Sequence, residues 1–452
     1  MSARNRELLA LVPASLLITA GFAAVFISQD ATLARAAATQ ELSNVSLVIG
    51  AVFLGLCLAA HVVLRLTLPD ADPYLFPLVA VLACFGLVLI YRIDADLARE
   101  QAQWFVVGLF LFVVTIVALR DFRRLEQYRY TIAAGALVLL LLPRVPGIGQ
   151  QANGAYLGVG IGPVSFQPAE FAKIALVVFL AAYLRDTRQV LVLGARRILG
   201  VTLPPLKHFG PVLVIWGASM FTLVFIRDLG SSLMFYGAFM ALLYVATSRL
   251  SFVVVGLALF GLGAWFIASP AGRILPGTGQ VEDRVSIWLD PFAPGVVDEE
   301  GYQLAQSLFA QADGGLFGTG FGQALIEQPG SGTSILPVAE TDLIYAVVVN
   351  ELGLAGACGL ILVYLLFVQR GFKVAMVARD SFSKLLATGL AAVFALQVFV
   401  IVGGVTRVIP LTGVTLPFVS YGGSSIVANF VLLALLLMVS DRARREAKEG
   451  AR

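Results

Sequence analysis

The chain is a succession of long apolar runs joined by short polar connections, and that pattern sets its class before any single residue is considered. A membrane-spanning helix takes about 20 mostly apolar residues. Twelve stretches approach that measure, near 8–28, 46–67, 75–92, 103–119, 130–143, 169–184, 209–226, 231–248, 251–268, 342–368, 383–404 and 424–440, the fifth and sixth being short. One connection alone is long, 269–341, and it is rich in glycine. Composition agrees with the pattern: 59% of the 452 residues are hydrophobic and 13% charged, against about a quarter charged in a soluble domain.

Charge adds an orientation. The formal net charge of +3 is too small to suggest nucleic acid. With the N-terminus in the cytoplasm, most of the 31 lysines and arginines fall on the inner side, among them Arg120 to Arg129, Arg185 to Lys207 and Arg442 to Arg452. Cytoplasmic connections carry such an excess. The expectation is an all-α polytopic membrane protein of about 12 transmembrane helices, both termini cytoplasmic, with one large extracytoplasmic loop at 269–341 and no soluble domain. The apolar run after Arg6 lacks a small-residue cleavage motif and reads as a first anchor. Cys57, Cys84 and Cys358 lie in apolar runs without a CxxC pattern and read as packing residues. His61 and His208 stand too far apart in sequence to suggest metal ligands.

Four groups of charged or helix-breaking residues fall on the outer side. The first opens the sixth run as Phe166-Gln167-Pro168-Ala169-Glu170-Phe171-Ala172-Lys173. Pro168 suits a first helical turn and Glu170 the positive end of the helix dipole. Glu170 and Lys173, three apart, share a face. The plain alternative is a helix cap with a snorkelling lysine, although a lysine snorkelling outward runs against the orientation rule. The second group is Arg227-Asp228-Leu229-Gly230, which also reads as a charged hairpin turn. The third is Glu340 and Asp342 at the mouth of a helix, with Glu351 further inside it. Both acids could simply mark a loop end, but an intramembrane carboxylate is a functional candidate by default. The fourth is Arg407, then Pro410, Leu416-Pro417 and Ser420-Tyr421-Gly422-Gly423-Ser424-Ser425. Breaks of this kind are tolerated where backbone lines a cavity. The run Gly318-Thr319-Gly320-Phe321-Gly322 has no preceding strand and the wrong spacing for a dinucleotide fingerprint; its glycines suit tight turns and close backbone approach. A fold gathering these groups makes an outward-facing polar pocket suited to an anionic, partly apolar substrate such as a lipid-linked phosphate or pyrophosphate.

The stretches FQPAEFAK, RDLGSS, GYQLAQS with GGLFGTGFG, LPVAETD with NELGLAG, and PLTGVTLPFVSYGGSS together resemble the SEDS family of shape, elongation, division and sporulation proteins (FtsW, RodA and SpoVE). They run in the family's order from about residue 75 to 440, and the last stretch is most similar to RodA-type members from actinobacteria. Residues 1–68 are then an N-terminal two-helix extension and 69–452 the SEDS-type transmembrane domain. The resemblance implies a peptidoglycan glycosyltransferase of the bacterial cytoplasmic membrane that polymerises glycan strands from lipid II by inverting transfer, in cell elongation or division. It also implies a class B penicillin-binding protein as partner. Asp342 matches the family's essential aspartate, Glu170 and Lys173 its functional acid and lysine, and Asp228 the acid of its QPDLGT-type motif. Gln167, Ser424 and Arg407 complete the implied substrate-binding set. No metal ligand set is implied, though a divalent cation (Mg or Mn) is compatible with a departing pyrophosphate. Some positions depart from the family pattern: Arg227 stands for the usual proline, Val338 and Glu340 for glutamate and histidine, and Asn350 for the first acid of EELG. Ser165 replaces a basic residue, and Asn153-Gly154-Ala155 lacks the Arg-Trp pair that often follows.

Two other functions fit polar clusters in a membrane. A lipid II flippase needs polar groups along a path through both leaflets, whereas these clusters concentrate at the outer face. A scaffold alone needs no buried acids. The partner's single helix is expected against Leu343–Phe367 and Leu385–Val402, where Ala355, Gly359 and Ala387 are small enough for close packing.

Overall fold

The computed structural model describes residues 3–29, 36–152, 155–161, 164–193, 196–198, 201–203, 217, 228–268, 279–299, 301–324, 326 and 335–450. Four helices come first, α1 (Ala3–Gln29), α2 (Ala36–Thr67), α3 (Leu75–Ile93) and α4 (Ala95–Leu119), followed by a short α5 (Arg124–Gln127) and α6 (Arg129–Leu141). Then come α7 (Pro168–Leu193), α8 (Leu229–Thr247), α9 (Leu250–Ala268), α10 (Gly279–Leu289) and α11 (Tyr302–Gly314). The chain ends with α12 (Ile344–Val377), α13 (Ser381–Val405) and α14 (Gly423–Glu449). Each apolar run read from the sequence coincides with a helix except 209–226, of which all but residue 217 lies outside the described residues. Among the described residues, 7 helices are long and apolar enough to cross a membrane. The polytopic helical architecture therefore stands. With 13 residues, α6 is about 20 Å long and falls short of a bilayer core by itself.

Two expectations need correction. The chain is not wholly helical: β1 (Gly149–Ala152), β2 (Ala155–Ile161) and β3 (Val164–Phe166) form an antiparallel sheet in that order, and β4 (Arg196–Ile198) pairs with β5 (Val201–Leu203). Strands of three to seven residues are too short to register in a search for long apolar runs. Nor is 269–341 structureless, because it holds α10, α11 and a glycine turn folded against α12.

The innermost helix is α14. Its Phe430 packs edge-on against Phe105 and Phe112 of α4 and Phe418 of the preceding loop. Gly108 makes room for that ring: a Cβ there would lie 2.6 Å from Phe430 Cδ2. At one end of the bundle the two termini of the fold meet. Arg4 Nη2 donates to the Ala71 carbonyl at 2.5 Å, the Asp70 amide donates to Asp441 at 2.8 Å, and Asp72 pairs with Arg444 and, at 3.5 Å, with Arg370. At the opposite end α4, α7, α8, α12 and α14 all begin.

Helix α12 is broken at Gly353 (φ 66°, ψ −172°). The break frees carbonyls on one side and amides on the other, and at membrane depth such groups must be satisfied by protein. The turn after α11 does this. Thr319 and Gly320 amides donate to the Asn350 and Glu351 carbonyls at 2.9 and 3.1 Å, while the Leu354 and Ala355 amides donate to Gly315 and Leu316 at 2.9 and 3.1 Å. Arg92 of α3 holds the far side of the turn, donating to the carbonyls of Gly322 (2.9 Å) and Ala324 (2.7 Å) and pairing with Glu351 at 2.8 Å. Gly318 sits at φ 84°, and a Cβ on it would fall 2.1 Å from the Glu351 carbonyl oxygen. Gly318→Ala is therefore expected to cost more than the roughly 1–3 kcal/mol of a strained backbone alone, read as a lowered midpoint of thermal unfolding in detergent. An unchanged midpoint would mean that the turn does not seat as described.

Candidate active site

Strand β3 leads directly into α7 and fixes where that helix starts. Pro168 occupies the first turn, and the Gln167 amide donates to Ser424 Oγ at 2.8 Å, tying the start of α7 to the start of α14. One turn on, Lys173 Nζ donates to Glu170 Oε2 at 2.5 Å and to Gln397 Oε1 at 2.6 Å. Lys173 is 1% exposed and Glu170 3%. Gln167, Glu170, Lys173 and Ser424 are thus brought together, but the lysine is enclosed by its pairing and does not snorkel.

Asp228 caps α8, its Oδ1 accepting from the Ser231 amide at 2.9 Å. Burial pushes its carboxyl up, while Ser231 and the Arg284 guanidinium pull it down and Glu170 raises it further. The start of α8 lies tight against the 412–414 segment: a Cβ at Gly230 would be 2.0 Å from Val414 Cγ2. Arg284 of α10 donates to the Thr412 carbonyl at 3.2 Å. Across the next residue, a Cβ on Gly413 would stand 3.6 Å from Asp342 Oδ2. Asp342 lies in the turn ahead of α12, outside the spanning helix. It is half-buried, and burial pushes its carboxyl up to about 7, opposed by Arg284 and reinforced by Glu340.

The turn carrying Asp342 is bolted in place. Val338 holds φ 50°, a conformation a β-branched residue rarely adopts, and accepts from the Thr341 and Leu343 amides at 3.1 and 3.3 Å. Ser420 Oγ donates to the Thr341 carbonyl at 2.7 Å and the Tyr421 amide to the Glu340 carbonyl at 2.8 Å. Gln101 of α4 secures that loop in turn, donating to the Ser420 carbonyl at 3.0 Å.

Other residues singled out from the sequence lie elsewhere. Glu351 faces Arg92 and belongs to the helix break. Arg407 donates to the carbonyls of Trp288 (2.9 Å) and Leu289 (2.5 Å) and thereby closes the end of α10. Arg227, Asn153 and Gly154 lie outside the described residues. Two residues were missed. Arg284, the cation acting on both Asp228 and Asp342, sits in a mixed polar stretch with no signal at the level of sequence. Gln397 did leave one, as an isolated amide in the apolar run 383–404. Among the described residues no group of three or more His, Cys, Asp or Glu could hold a metal ion.

Comparison with known proteins decides the family. The family model for FtsW, RodA and SpoVE, described as cell cycle protein, matches residues 73–445. The chain belongs to the FtsW/RodA/SpoVE family. Peptidoglycan glycosyltransferase RodA of Mycobacterium tuberculosis is 40% identical to this family member, over 99% of this chain and 93% of that protein. Stage V sporulation protein E of Bacillus subtilis is 30% identical over 82% and 98%. Among solved structures, one described as structural coordination of polymerization and crosslinking by a peptidoglycan synthase complex aligns with TM-score 0.64 and 26% identity, over 83% of this chain and 98% of that one. Thermus thermophilus rod shape determining protein RodA aligns with TM-score 0.55 and 25% identity, over 83% and 97%.

Proposed function

We propose that this FtsW/RodA/SpoVE member is a peptidoglycan glycosyltransferase that polymerises glycan strands from lipid II at the outer face of the bacterial cytoplasmic membrane. The observation that carries this reading is the meeting of Asp342, Arg284 and Asp228 at the bundle end where α7, α8, α12 and α14 begin. Helix N-termini favour anions, and together with Arg284 they suit a pyrophosphate. The acceptor sugar's 4-hydroxyl attacks the anomeric carbon of the polyprenyl-linked donor. The new glycosidic C–O bond forms as the bond to pyrophosphate breaks, with inversion. Asp342 takes the hydroxyl proton, which suits a carboxyl near neutrality. Arg284 balances charge on the departing pyrophosphate, with Lys173 behind it, and Gln167 and Ser424 frame the substrate. The opposite end, where Arg4, Arg370 and Arg444 gather beside both termini, faces the cytoplasm, and residues 1–68 form an extension packed on α3. Incubating purified chain with purified lipid II tests the reading. Glycan strands should form. Lipid II crossing vesicles without any polymer forming would replace this reading with transport.

A class B penicillin-binding protein is the proposed partner, docked by its single helix on α12. Ala355 and Gly359 lie on an exposed face of α12, and Gly359 has open space where a side chain would stand. Ala387, expected on the same surface, is fully buried in α13 and does not belong to it. Ala355→Phe and Gly359→Leu should reduce co-purification of the partner several-fold and leave partner-free polymerisation unchanged. Crosslinks from the partner helix to residues 8–67 would move the docking site.

A further inference from the structure

Gln397 is a polar side chain in the middle of α13, flanked by Phe394, Leu396, Val398 and Phe399, and its exposure is 0%. A buried amide is tolerated there only when its groups are bonded. Its Oε1 accepts from Lys173 Nζ at 2.6 Å, and its Nε2 donates to the Thr415 carbonyl at 2.9 Å and to Ser425 Oγ at 3.4 Å. An ammonium only donates and a carbonyl only accepts, so one orientation of the amide satisfies both. Thr415 belongs to the segment whose Thr412 carbonyl binds Arg284 and whose Gly413 faces Asp342. The amide is therefore the direct link between the Glu170–Lys173 pair and the strip of backbone beside the Asp342 carboxylate.

We propose that Gln397 is a positioning residue for glycosyl transfer. It holds the enclosed Lys173 ammonium at a fixed distance from the 412–415 segment, so that the positive charge behind the site stays in register with Asp342. This rests on the glycosyltransferase reading above. The two contacts of the amide make different demands on a replacement. Gln397→Glu keeps an oxygen for the ammonium but gives up the donor to Thr415; Gln397→Met gives up both. A role in packing alone makes Met, similar in volume, the better substitute.

The test is polymerisation of purified lipid II by the purified full chain, with kcat and KM measured alongside thermal stability. Gln397→Met should lower kcat by about tenfold or more, since small displacements of reacting groups cost rate steeply, with KM within about twofold of wild type. Gln397→Glu, which keeps the contact to Lys173 but breaks the link at Thr415, should lower kcat as well. Wild-type kcat in Gln397→Glu would show that the Thr415 contact is not needed and overturn the proposal, as would a Met variant with wild-type kcat. If Gln397→Met fails to fold, Gln397→Asn carries the test, because it withdraws the same amide by one methylene from the ammonium. Wild-type kcat in Gln397→Asn overturns the proposal. Separately, wild-type polymerisation by the combined Glu170→Gln, Lys173→Met variant would remove the lysine from the reaction and overturn the positioning role while leaving the glycosyltransferase reading in place; no polymer from the wild-type chain would remove that reading itself. An inactive combined variant beside a fully active Gln397→Met would refute the positioning role alone.

Discussion

Asp342→Asn should reduce glycan polymerisation by about 10²–10⁴-fold, the usual loss on removing a general base, while insertion and thermal stability stay near wild type. The amide keeps the shape of the carboxylate, and the turn that carries it is held by backbone contacts from Ser420 and Tyr421 that the substitution does not touch. A pH signature accompanies the loss. Burial raises the Asp342 carboxyl to about 7, and a base must be ionised to take a proton. In the wild type kcat/KM should therefore rise with pH up to about 7 and level off above it. At an ordinary aspartate value no such limb would appear above pH 6. Strand synthesis by Asp342→Asn at the wild-type rate would remove Asp342 from the chemistry.

The second large effect concerns Lys173. Lys173→Met strips Glu170, 3% exposed, of its charged partner, and breaking a buried pair from one side typically costs about 3–5 kcal/mol. The single variant should lose both turnover and thermal stability. Adding Glu170→Gln removes the orphaned charge, so the combined variant should recover most of the stability and none of the turnover. That divergence separates a role in the reaction from a role in holding α7 together. If stability and turnover return together, the pair serves packing.

The apolar helices were legible because a membrane imposes a length and a composition on anything that crosses it, and few other folds meet both demands. Asp342, Glu170, Lys173 and Asp228 drew notice for the converse reason, as charges at the mouths of apolar runs, and the roles proposed for them came from the family resemblance. The sheet at 149–166 left no such mark, being short and set between helices. Contacts that cross the sequence were also hidden: nothing near Glu351 announces Arg92, and nothing near Arg407 announces the carbonyls of Trp288 and Leu289. Arg284 escaped because an arginine in a polar stretch is ordinary until the fold brings two acids to it. Gln397 could have been singled out by the argument applied to the acids, since a buried amide also needs partners.

The break in α12 also bears on how the protein is made. Synthesis runs from the N-terminus, so Arg92 leaves the ribosome first, the turn at 315–324 later, and the interrupted stretch around Gly353 last. Every group that completes the break already exists when the break emerges. The half-helix behind Asp342 thus emerges after the turn that satisfies its unpaired amides and carbonyls and after the arginine that holds that turn. Moving the turn to a position after α12, as a circular permutation would, reverses that order and leaves an open helix in the bilayer until the remainder of the chain arrives.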